Sequence, residues 1–418
     1  MANPSSSQQT SQAPEGSTNL NFGRPMVAIP GPSIIPERVL SAMSRPMPDI
    51  YSGELVEISD EVFARLPSLA RTTGKPFVVM SNGHGAWQMA IANTLARDDK
   101  VLVLESGRFA VVWGEMAAIS GVKVEVLPGS DDRPVDPAAL QARLADDPGH
   151  EIKAILTVQT DTATSVRNDI AALRNAIDEA GHPALFMVDC IASLGCEPFE
   201  MDVWGVDVTV AGSQKGLMVP PGLAFVWASE KAIEAYDRSD IHVGYLDWRK
   251  RLNATVHYEL YSGTPPVSHL YGLREALAMI EEEGLEARWD RHAVLASAVW
   301  AAVDAWSGGG DGSAAGGGIA LNIADPAFRS TAVTTIRTGD IDAAEVRRIC
   351  ADGAGLTLGL GIGDFAGRAF RIGHMGYLNP PMLLGTLGTV EAALLSMGTP
   401  IGGSGVAAAA AALSAHMD

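Results

Sequence analysis

The sequence predicts an α/β fold, with a large domain on a mainly parallel seven-stranded sheet and a smaller α+β domain at the C-terminus. Three observations predict it. From Pro76 onward, short and nearly continuous apolar runs alternate with helical stretches, the pattern of parallel strands covered by helices on both faces. Near Tyr271 that alternation gives way to long helical periodicity. The chain has 418 residues, 47% hydrophobic and 19% charged. That length suits two or three domains of roughly 100–200 residues, and the composition excludes wholesale disorder.

The elements follow in order. Residues 1–24 are rich in Ser, Gln, Pro and Asn, lack apolar periodicity and read as a flexible tail. They carry no basic n-region with an apolar core, so no signal peptide is expected. No apolar run approaches the ~18 residues of a membrane span. The strand-like runs are Phe77–Met80, Val101–Glu105, Val122–Leu127, Ala154–Val158, Leu185–Asp189, Val206–Ala211 and Leu223–Trp227. Helices are expected over Ala86–Ala96, Pro137–Leu144 and Ile170–Ala180, then over Tyr271–Glu283 and Glu286–Trp306. A glycine-rich surface connection over 308–318 precedes two further strands, Ala332–Arg337 and Phe370–Ile372. The expected organisation is a tail (1–24), a large domain (25–285) and a small domain (286–418).

The formal charge of −19 argues against nucleic acid or anionic membrane as a partner over a broad surface. It leaves room for a small anion held by a few cations. Three cysteines cannot form a disulfide framework, so a reducing, cytoplasmic compartment is expected. No metal site is expected.

Four segments carry chemistry. Ser81-Asn82-Gly83-His84-Gly85-Ala86-Trp87 joins a strand to a helix, and free N–H groups at a helix start attract anions. Taken alone it equally suits a turn chosen for geometry, and it matches neither the Walker nor the dinucleotide pattern. Asp189 ends an apolar strand, at the edge where open α/β sheets bind ligands, although a capping aspartate is as good a reading of position alone. Lys215, in Gly212-Ser213-Gln214-Lys215-Gly216, follows Asp189 by 26 residues and precedes another strand. A desolvated lysine there can act as a Schiff-base nucleophile and proton carrier. In Arg368-Ala369-Phe370-Arg371 the odd spacing lets one arginine face inward along a strand, as a fork for a carboxylate. Unaided, a surface salt bridge is the better reading of Arg371. Together the four supply what pyridoxal 5′-phosphate needs: a phosphate cradle, a lysine, an acid for the ring nitrogen and a cation for the amino acid's carboxylate.

In this arrangement the chain resembles class V aminotransferases of the serine–glyoxylate and alanine–glyoxylate type, within the fold type I pyridoxal-phosphate enzymes. The likeness runs from about Gly31 to Ala409 and rests on Gly31-Pro32-Ser33, Gly85-Ala86-Trp87, Val188-Asp189, Ala192-Ser193-Leu194-Gly195, Met201-Asp202, Gly212-Ser213-Gln214-Lys215, Pro220-Pro221-Gly222, Tyr271-Gly272-Leu273-Arg274, Phe370-Arg371-Ile372-Gly373-His374 and Gly403–Ala409. The resemblance implies roles residue by residue. Lys215 would hold the cofactor and move protons. Asp189 would pair with the ring nitrogen, and Phe109 would stack on the ring. Asn82, Gly83, His84 and Gln214 would take the phosphate, with Thr162 and Ile191 completing the cofactor set. Arg371 would bind the substrate carboxylate. Tyr261 and Thr264 would reach the phosphate of a neighbouring subunit, which implies a homodimer with shared sites.

Two departures bear on this. Where the family has Glu and then Gly in the turn after Val158, this chain has Asp161 and Ser165, which leaves the roles of Thr162 and Thr164 open. Where many relatives have Arg-Ser-Pro near the substrate entrance, it has Ile50-Tyr51-Ser52-Gly53. The implied activity is ping-pong transamination between a small amino acid and glyoxylate, giving glycine and a 2-oxo acid. Serine is the favoured donor, because Gly403–Ala409 and Met201–Asp207 are most similar to the serine–glyoxylate branch. Alanine, aspartate or pyridoxamine with pyruvate are alternatives on the same fold. A lyase or desulfurase would need a mobile nucleophilic cysteine, and Cys190, Cys196 and Cys350 read better as buried structural residues.

Overall fold

The computed structural model describes residues 20–307 and 318–417. Most of the expected tail and the glycine connection at 308–317 lie outside the described residues. Twelve strands occur among the described residues: β1 (Met26–Ala28), β2 (Lys75–Ser81), β3 (Lys100–Leu104), β4 (Lys123–Leu127), β5 (Ile152–Val158), β6 (Leu185–Asp189), β7 (Val208–Gly212), β8 (Gly222–Ala228), β9 (Ala320–Leu321), β10 (Val333–Arg337), β11 (Leu356–Leu360) and β12 (Ala369–Gly373).

The seven expected runs form one sheet in the order β2-β8-β7-β6-β5-β3-β4. Only β8 runs against its neighbours; the β7–β6, β6–β5, β5–β3 and β3–β4 pairs are parallel. The apolar runs are continuous because both faces are covered. In β6, Phe186 and Val188 enter one core while Leu185 and Met187 enter the other. Side chains alternate across a strand, so each face needs its own apolar set. The covering helices begin where polar caps stop the preceding loop. Asn82 caps Gly83–Thr94, Asp136 with Pro137 opens Pro137–Ala145, and Asp169 caps Ile170–Glu179.

The helix Arg108–Ile119 was not expected, since it contains Val111, Val112 and Gly114, all weak helix formers. Packing overrides propensity here: a Cβ at position 114 would lie 2.7 Å from Val103 of β3.

The second sheet has the order β1-β11-β12-β10-β9. It packs with Leu285–Ser307, Pro380–Ser396 and Gly405–Ser414 around a separate core. β1 pairs in parallel with β11, Met26 opposite Leu356. Residues 26–28 therefore pair with the C-terminal sheet. Among the described residues, no helix is long and apolar enough to cross a membrane.

Candidate active site

The strand ends at β5, β6 and β7 and the turn after β2 surround a cavity of about 180 Å³. β6 is central, with Asp189 registered between Val158 and Val210. Asp189 is 3% exposed. Its Oδ1 accepts the Ile191 N–H at 2.6 Å and its Oδ2 the Trp87 indole N–H at 2.9 Å. Burial pushes this carboxyl up to about 7 despite both donors and the Lys215 cation.

Lys215 enters the same cavity from the turn between β7 and β8. Burial lowers its ammonium to about 8, aided by the Arg371 cation and opposed by Asp189. Its Nζ donates to the Pro30 carbonyl. Ser33 holds the backbone behind it, Oγ donating to the Lys215 carbonyl at 2.7 Å and N–H to the Gln214 carbonyl at 2.8 Å. Gly31, with φ at +91°, makes this approach possible, since a Cβ there would lie 2.5–2.6 Å from the lysine arm.

Asn82 Oδ1 accepts the His84 N–H at 3.1 Å. A Cβ on Gly83 would meet the Ile191 Cδ1 at 2.2 Å, so glycine lets the helix start sit against Ile191. The exposed His84 ring lies over Trp87, centroids 4.6 Å apart. Gln214 lines the cavity, and its Oε1 is buried without a hydrogen-bond partner among the described residues.

Phe109 also lines the cavity, from the first turn of Arg108–Ile119. β3 stops at Leu104, and the short loop after it carries the chain to Phe109. Buried Asp161 fixes that start. Its carboxylate accepts the N–H groups of Phe109 (2.7 Å) and Ala163 (2.8 Å). The shorter acid thus staples its own turn to the helix carrying Phe109. The two threonines of this turn differ in direction. Thr162 lines the cavity, whereas Thr164 Oγ1 turns away to donate to the Ser106 carbonyl at 3.1 Å. Ser165 adopts φ +61°, the conformation that favours the glycine of the resembling family.

Arg371 is 7% exposed on β12. It donates to the carbonyls of Thr162 (2.6 Å) and Leu360 (2.7 Å), so it abuts the cavity through Thr162. Burial lowers it to about 10. Arg368 lies outside β12 and donates to the Asp364 carbonyl, so strand alternation does not relate the two arginines. Tyr261 and Thr264 do not line the cavity of their own chain. Thr264 is exposed. Tyr261 is 1% exposed, and its hydroxyl donates to Ser59 at 2.9 Å. Cys190, Cys196 and Cys350 are buried and absent from the cavity lining. Burial raises the Cys196 thiol to about 11 and Cys350 to about 12, which suits inert packing residues.

Sequence reasoning missed the roles of Trp87 and of the Pro30–Ser33 loop. Both lay within segments that carry the family resemblance, but neither shows its partner locally.

The family model described as aminotransferase class-V matches residues 70–357. The chain is 40% identical to the serine–glyoxylate aminotransferase of Methylorubrum extorquens, over 94% of this chain and 96% of that one. It is 38% identical to the L-aspartate–glyoxylate aminotransferase of Paracoccus denitrificans, over 92% and 94%. The crystal structure of a ureidoglycine–glyoxylate aminotransferase from Bacillus subtilis superposes with a TM-score of 0.85 at 26% identity, covering 94% of this chain and 98% of that one.

Proposed function

The chain belongs to the class-V aminotransferases, fold type I enzymes that depend on pyridoxal phosphate, and from that premise we propose that it transfers the amino group of a small L-amino acid, serine foremost, to glyoxylate. The observation that carries this reading is the meeting of Lys215, Asp189 and the Asn82–His84 turn in one cavity.

The residues fit the cofactor. The Gln214 amide, whose buried Oε1 has no partner among the described residues, can present oxygen or nitrogen to a ligand. The N–H groups of the capped helix start suit a phosphate. Phe109 and Ile191 line the cavity and would sandwich a flat ring. When bound, pyridoxal phosphate supplies an electron sink for bond-breaking at the amino acid's α-carbon.

The chain's own residues do the rest. Asp189 holds a proton at the ring nitrogen. Lys215, lowered to about 8, is about one-tenth neutral at pH 7 and far more so than an ordinary lysine, so its Nζ can attack a carbonyl and accept the α-carbon proton. Arg371 orients the donor carboxylate, reaching it past Thr162. Exposed Thr264 supports a homodimer in which this turn meets the neighbour's phosphate, with buried Tyr261 shaping the turn. Three buried free cysteines suit a cytoplasmic setting.

The test is a half-reaction screen. Serine should bleach the visible cofactor band faster than alanine or aspartate, and glyoxylate should restore it faster than pyruvate. Faster bleaching by aspartate would overturn the donor assignment. No bleaching by any amino acid would overturn transamination from amino acids, and turnover of free pyridoxamine with pyruvate would replace it.

A further inference from the structure

Trp87 and Asp189 lie 102 positions apart, yet the indole N–H donates to the carboxylate at 2.9 Å with both side chains buried. We infer that Trp87 is a positioning residue, which clamps the Asp189 carboxylate in one orientation and keeps it ionised opposite the ring nitrogen of the cofactor. This rests on the cofactor reading above.

The geometry leaves the carboxylate little freedom. The Ile191 N–H takes Oδ1 and the indole takes Oδ2, so rotation of the carboxyl breaks both bonds. The indole is itself held: Trp113 stacks on it at 6.0 Å and 13°, and His84 and Phe109 pack at 4.6 and 6.4 Å. Trp87 also stands on the helix that begins with the phosphate turn. One rigid helix would therefore register both ends of a cofactor, Gly83 taking its phosphate and Trp87, through Asp189, its ring nitrogen.

The indole matters because Asp189 is poorly solvated. The charged groups bearing on it are Lys215, which favours ionisation, and Asp161, which opposes it; the neighbouring Cys190 thiol is pushed up. Removing a donor from a buried carboxylate raises its proton affinity. In the loaded enzyme the proton at the ring nitrogen would then shift toward Asp189, which would weaken the electron sink. No bond to carbon changes in this step; one proton moves between nitrogen and oxygen.

Trp113 supplies the control. It is buried in the same stack, and its indole nitrogen has no partner among the described residues. In the full chain freed of cofactor, carbon-13 NMR of aspartate carboxyls should show Asp189 of Trp87→Phe titrating about one pH unit or more above wild type. Trp113→Phe should leave it unmoved. In the loaded enzyme, the nitrogen-15 signal of ring-labelled cofactor should move toward the unprotonated position in Trp87→Phe alone, with kcat falling about tenfold and KM within about twofold. An unmoved Asp189 titration in Trp87→Phe, or an equal shift in Trp113→Phe, overturns the clamp. If Trp87→Phe fails to fold, wild type still decides. The Trp87 indole proton signal must shift with pH in step with Asp189, and an indole signal flat across that range overturns the proposal. The cofactor-free measurements separate the two readings: coupled titrations in a chain that transfers no amino group support the clamp and refute the proposed function.

Discussion

Arg288 donates from Nη2 to the carbonyl of Gly216, the residue after Lys215, at 2.7 Å. The same guanidinium reaches the Gly195 carbonyl at 2.8 Å and Glu283 at 2.9 Å. It is 1% exposed and stands in the first turn of the long helix opening the small domain. The helix Leu285–Ser307 thus grips the backbone beside the lysine. Replacing Arg288 with Met leaves two buried carbonyls without their donor, while Glu283 keeps Arg291. A loss of about 3 kcal/mol is expected, at the low end for breaking a buried pair. Urea unfolding measures it; a loss below about 1 kcal/mol would show the grip to be dispensable.

Lys215 gives a pH prediction with a definite sign. Its folded value, about 8, lies below the ordinary lysine value, and only the neutral amine attacks an aldehyde. Cofactor capture by the cofactor-free chain should therefore accelerate as pH rises from 6 and level off above about 8–9. Stopped-flow absorbance reads the rate. A midpoint near 10 would mean the amine is not desolvated as placed. Lys215→Ala should lower turnover by about a thousandfold or more.

Much of the site was legible because it depends on local order. Four apolar residues before Asp189 fix it at a buried strand end, and glycines around Lys215 mark a tight turn. What escaped depends on distant partners. Nothing near Trp87 indicates that its indole points at β6 rather than into an ordinary core. Arg288 has the sequence setting of a solvated helical arginine, and its burial follows from domain packing. β1 is three residues long, and β11, with which it pairs, is remote in sequence, so neither periodicity nor propensity could reveal it.

Asp189→Asn separates stability from function. The folded carboxyl sits near 7 and the unfolded one near the ordinary value of 3.8. A raised acid destabilises the fold increasingly as pH climbs from about 4 to 7, because the native state must then ionise a buried group. Asparagine removes that cost, but its amide NH₂ opposes one of the two N–H donors. A net gain of about 1–2 kcal/mol at pH 8 is expected for the cofactor-free chain, shrinking toward pH 5, while turnover falls at least about a hundredfold. Thermal unfolding at both pH values checks it. An Asn variant less stable than wild type at pH 8 would mean that the two donors outweigh desolvation.

Ser165→Gly sets two effects against each other. Serine at φ +61° carries about 1–2 kcal/mol of left-handed strain, which glycine would relieve. The serine hydroxyl, however, accepts the buried Thr335 N–H at 2.8 Å and donates to the Thr164 carbonyl at 2.6 Å. It thereby ties the Asp161–Ser165 turn to β10 of the five-stranded sheet. Glycine leaves the Thr335 N–H unpaired, at about 1–3 kcal/mol, and adds backbone freedom to the unfolded chain at about 0.4–1 kcal/mol. The balance favours serine by about 1 kcal/mol. Urea midpoints should therefore fall in Ser165→Gly, although glycine suits the backbone angle. A rise would mean that strain, not the bond to β10, dominates at this turn.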